Sequence, residues 1–98
     1  MAAQIPKKTL MAKARGFTAS IEKMNEKERA ITPSGEYGDD YNNFRDLVAV
    51  AYPHLKPLLP PPVETFFSSD TRHKYTRQRY GEINTFCEQM FQLLSEEE

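Results

Sequence analysis

Residues 10–24 read LMAKARGFTASIEKM, and the spacing of their apolar side chains decides the fold class. Leu10, Ala14, Phe17, Ile21 and Met24 recur at intervals of 4, 3, 4 and 3. At about 100° per residue they fall within roughly 80° of arc, a narrow stripe on an α-helix. A stripe this narrow is the seam of a helix that meets one neighbour. The periodicity predicts helix one over 7–30, with Pro6 at its first turn, where a missing N–H costs nothing. Pro33, Ser34, Gly35 and Gly38 read as the loop that follows.

Further along, Tyr41, Phe44, Leu47, Val48, Ala51 and Tyr52 form a broad apolar face, predicting helix two over 40–52. Asp39 or Asp40 would cap it, and Pro53 would stop it, because the residue before a proline is pushed out of the helical region. Residues 53–67 form a proline-rich connection that holds five of the seven prolines. Pro53 and Pro57 suit a short helical turn, and Pro60–Pro62 suit polyproline II. Val63–Phe67 read as extended, with no second strand to pair with. Helix three is predicted over 70–94, opened by the capping run Ser68–Thr71. Ile83, Cys87, Met90 and Leu94 share one line of it, and Tyr80, Phe86, Phe91 and Leu93 widen the face. The expectation is an all-α domain over 1–98: a small three-helix bundle with a proline-rich turn between helices two and three.

A chain of 98 residues buries roughly two-thirds of its unfolded surface, so its own core is thin. With 11 aromatic residues, six Phe and five Tyr, some apolar surface is expected to be completed by a second copy. A mean hydropathy of -0.69 is polar without reaching the range of disorder. The longest apolar run, Leu47–Ala51, is far below the roughly 20 residues that span a bilayer. Cys87 is the single cysteine, which excludes an internal disulfide and suits a reducing, cytoplasmic setting. Residues 1–21 carry four cations and no acid, as an organellar targeting segment can. Their apolar spacing nevertheless runs on into the acidic stretch beyond.

The net charge of -1 conceals blocks: +4 over 1–21, -3 over 22–49, -1 over 50–70, +4 over 71–81 and -5 over 82–98. Antiparallel packing would set the basic start of helix one beside the acidic end of helix three, within one chain or across a dimer. The basic segment holds Arg72, Lys74, Arg77 and Arg79 with Tyr75 and Tyr80 among them. At a helix N-terminus cations oppose the macrodipole, so something anionic should compensate them. Acidic protein surface, such as Glu26, Glu28 or the tail Glu96–Glu98, is favoured over a nucleic-acid backbone, because the domain is not basic overall.

No catalytic constellation is present, and His54 and His73 have no partners at metal-ligand spacing. No cofactor is expected. Cys87 reads as an inert core thiol, the PxxP of Pro57–Pro60 as a rigid turn in preference to an SH3-type ligand, and Glu96–Glu98 as a solvated tail. Gly16 and Gly81 inside predicted helices mark either a close helix crossing or simple tolerance. The reading is a non-catalytic interaction module (adaptor, regulator or inhibitor) that binds another protein and itself, away from membranes. Its expected contacts are the seam residues Phe17, Ile21 and Met24 and the basic residues Arg72, Lys74, Arg77, Arg79 and Tyr80. The alternative is a nucleic-acid-binding regulator that uses residues 72–80.

Overall fold

A computed structural model describes residues 5–69 and 73–97. The chain is mostly helical, with a small two-stranded sheet, in the order α1 (Lys7–Glu22), α2 (Glu26–Arg29), α3 (Gly35–Ala51), a 3-10 helix (Pro53–Leu58), β1 (Thr65–Phe67), β2 (Lys74–Thr76) and α4 (Tyr80–Ser95). The seam of α1 is filled within the chain. Leu10, Ala14 and Ile21 are fully buried together with Ile83, Cys87, Met90 and Leu94 of α4. The two helices run antiparallel, as the charge blocks favoured. Lys7 Nζ donates to the backbone carbonyl of Glu97 at one end, and Tyr80 N donates to Ile31 O at 3.1 Å at the other. α3 supplies Tyr41, Phe44 and Val48 to the same core.

Several expected boundaries are corrected. Helix one does not reach residue 30, because a capping box interrupts it. Asn25 Oδ1 accepts from Glu28 N at 2.9 Å, and Glu28 Oε1 accepts from Asn25 N at 3.1 Å. Arg29 then folds back onto the end of α1 and donates to Ile21 O and Glu22 O at 3.3 and 3.0 Å. Helix two begins at Gly35, five residues earlier than the reading 40–52. Its cap is Ser34, whose Oγ accepts from Tyr37 N at 3.3 Å, so neither Asp39 nor Asp40 is needed there.

Residues 35–38 are therefore helix, and their glycines have a packing reason. A β-carbon on Gly38 would stand 2.3 Å from Thr76 Oγ1 and 3.2 Å from Thr65 Cγ2; one on Gly35 would stand 2.3 Å from Lys74 Cγ. The first turn of α3 is bare so that the β-hairpin can lie against it.

That hairpin is the largest departure from expectation, since no second strand was foreseen. β1 and β2 pair antiparallel in the register Thr65↔Thr76, Phe66↔Tyr75, Phe67↔Lys74. Helix three consequently starts at Tyr80 and not at 70, its first turn held by Glu82 Oε1 accepting from Arg79 N at 3.2 Å. The aromatic and β-branched residues of 65–67 and 74–76 find partners in each other, and this outweighs the capping signal at 68–71. Positions 70–72 lie outside the described residues.

The proline segment is fastened by α3 side chains. Arg45 Nε donates to Pro60 O at 2.6 Å, Tyr41 Oη to Pro61 O at 3.1 Å, and Asn42 makes two bonds with the backbone of Val63 at 2.8 and 3.0 Å. Leu55, Leu59 and Val63 are buried beneath it, and Pro60 is buried too, which makes residues 53–63 a rigid strap.

Candidate interaction surfaces

α1 and α3 meet at one aromatic crossing and diverge from it. The Phe17 ring packs edge-on to Tyr37 at 5.5 Å and to Tyr41 at 6.4 Å, and lies 5.8 Å from Phe44. Beside the crossing the helices leave an open groove of about 490 Å³. Phe17, Tyr37, Phe44 and Leu47 give it apolar walls; Lys13 stands on the α1 side and Asp40 and Asn43 on the α3 side. Gly16 lies on its floor, where a β-carbon would meet nothing within 4 Å. Gly81 differs: its nearest neighbour would be Arg29 O at 3.6 Å, an ordinary contact.

The expected site residues do not form one surface. Phe17 lines the groove. Ile21 is fully buried against the chain's own core and packs there instead of meeting a partner, and Met24 is half-buried on that core. Arg72 lies outside the described residues. Lys74 sits on β2, its Nζ 2.7 Å from Asp39 Oδ2, and Arg77 Nε lies 3.0 Å from Glu64 Oε2. Among the described residues, Asp39 and Glu64 thus supply the anionic compensation for Lys74 and Arg77. Arg79 is exposed beside the start of α4. Tyr80 is half-buried, with its ring 5.2 Å from that of Tyr37.

Glu97 is held as well. Glu97 pairs its carboxylate with His54 Nε2 while its carbonyl accepts from Lys7, so it is not a solvated residue. On the face of the hairpin turned away from α3, Phe66 lies 6.0 Å from Tyr75 and is 47% exposed, while Phe67, in register with Lys74 on the other face, is 71% exposed. Hairpin pairing could not be read from either strand alone, which explains why this aromatic patch was missed. Of the groove's lining, the sequence offers only Phe17 as an expected contact and Gly16 as a candidate close helix crossing.

The buried titratable groups are protonated at neutral pH. Burial, with a smaller contribution from Glu88, pushes the Cys87 thiol up to about 12, which leaves no thiolate to act as a nucleophile. Tyr37 and Tyr41 are also raised, chiefly by burial. The Tyr37 hydroxyl is buried without a hydrogen-bond partner among the described residues, whereas Tyr41 has Pro61.

Among the described residues, no three His, Cys, Asp or Glu side chains gather closely enough to hold a metal ion, and no helix is long and apolar enough to cross a membrane. No protein-family model matches the chain, and comparison with curated proteins and with solved structures gives no significant match.

Proposed function

We propose that this is a small, non-catalytic protein–protein interaction module of the cytoplasm: an adaptor, regulator or inhibitor whose three long helices act as a bundle presenting a binding groove. The observation that carries the reading is the α1/α3 groove. It joins apolar, largely aromatic walls, a charged rim and a helix backbone laid bare at Gly16, the features of a surface that receives a helix. The reading moves the contact from the seam itself to its outer edge, because Ile21 is already covered. A photo-crosslinking amino acid in place of exposed Asn43, introduced in living cells, is expected to give a discrete protein adduct. Absence of any adduct would overturn the reading.

A second reading rests on the hairpin. Exposed Phe66 beside Tyr75, with Arg77 and Arg79 nearby in sequence, offers a stacking platform for single-stranded nucleic acid. The ion pairs of Lys74 and Arg77 weigh against it, since a phosphate would have to displace Asp39 and Glu64. If no single-stranded DNA or RNA is retarded on a gel at low salt, this alternative falls.

A further inference from the structure

Resting on the interaction-module reading, we infer that the occupant of the α1/α3 groove is the same groove of a second copy, the two related by a two-fold axis running along it. The two sides of the groove are opposite in charge. The α1 side is basic at Lys13. The α3 side is acidic at Asp40, and Glu36 one turn earlier prolongs it. All three are exposed, and neither Lys13 nor Asp40 has an ion pair or side-chain hydrogen bond among the described residues. The charges face each other across the groove without meeting.

A symmetric interface requires a patch that complements itself. A two-fold axis along the groove lays α1 of each copy on α3 of the other, setting a basic side on an acidic one twice. The competing axis, across the groove, would lay α1 on α1 and bring Lys13 towards its own copy. Like charges so placed repel, so electrostatics selects the first arrangement. Two further features fit it. Gly16 is an interior helical glycine whose flank is empty among the described residues, and it lets a second helix approach the backbone closely. Val50 is 77% exposed and continues the line of Asn43 and Leu47 on α3, so a helix laid along that line would cover it.

The test is the mass of the full chain in solution by light scattering and sedimentation, at low and high salt. The wild-type chain is expected at twice the 11.3 kDa of one copy, with the dimer weakened by salt. Gly16→Leu places a side chain in the open flank; it should stay folded by circular dichroism and run as a monomer. Lys13→Glu and Asp40→Lys should each be monomeric alone, because each makes both sides of its groove alike in sign. Mixed in equal amounts they should restore the dimer, since every facing pair is again opposite. A wild-type monomer, groove variants that stay dimeric, or a mixture that stays monomeric would each overturn the inference. The crosslinking experiment separates the two levels. An adduct of foreign mass with a monomeric wild-type chain would preserve the interaction module and remove the self-pairing.

Discussion

Gly16 and Gly38 both sit inside helices, and the space around their missing β-carbons is entirely different. Nothing approaches Gly16 within 4 Å, so alanine there gains helix propensity at no steric cost. Gly16→Ala is expected to stabilise the dilute chain by up to about 1 kcal/mol in urea unfolding. Gly38→Ala makes the same local gain but drives a methyl group against Thr76 and Thr65, and should destabilise by about 1–3 kcal/mol net. If the two substitutions shift the midpoint in the same direction, the packing of the hairpin on α3 is wrong. Tyr37 offers another single-atom test. Its buried hydroxyl has no partner among the described residues, so Tyr37→Phe removes a desolvated polar group and should raise stability by about 1 kcal/mol, whereas most core substitutions lower it.

At the scale of elements, the strap over residues 53–63 depends on α3 more than on its own prolines. Asn42 both donates to and accepts from Val63, at 3.0 and 2.8 Å, and so satisfies the buried backbone that leads into β1. Asn42→Ala should cost about 2 kcal/mol and expose the Val63 amide to hydrogen exchange. Unchanged protection of that amide would show that the bonds are dispensable. Element limits were legible where a short-range signal existed. Pro53 ends α3 as expected, and the Asn25–Glu28 capping box could have been read as the break after α1. The strands were not legible, because three residues carry no usable period and each strand is stabilised by its partner across the hairpin. The basic segment was misread for the same reason. Once 74–76 are a strand, Lys74 no longer opposes a helix dipole, whereas Arg79 still stands at the N-cap of α4.

For the whole molecule, the clearest consequence of burial is alkaline instability. Cys87 ionises near its ordinary value of 9.0 in the unfolded chain but holds its proton to about 12 when folded. The folded state therefore binds more protons above pH 9, and stability falls as pH rises through the window from 9 to 12. The loss from this thiol should reach about 1 kcal/mol by pH 10. Tyr37 and Tyr41, raised from 10.0, steepen the fall above that pH. Cys87→Ala should flatten the profile between pH 9 and 10 in urea titrations, whatever it does to stability at neutral pH. An unaltered profile would mean that the thiol is not shielded as the core implies.

The molecule is somewhat elongated, 46 by 29 by 20 Å with a radius of gyration of 14.1 Å, against about 13 Å for a compact chain of this length. Within it α1 and α4 lie side by side, and α3 meets α1 around Phe17. The amino-acid order alone determined the helical character, the seam from Leu10 to Met24 and the line from Ile83 to Leu94, and its charge blocks favoured an antiparallel pairing, within the chain or across a dimer. Each of these follows from side-chain period or charge along a single segment. The tertiary structure alone decided that the seam is closed from within, that two short strands pair, and that an open groove with opposed charges remains between α1 and α3. Those are properties of distances between segments far apart in the chain, and no period within one segment encodes them.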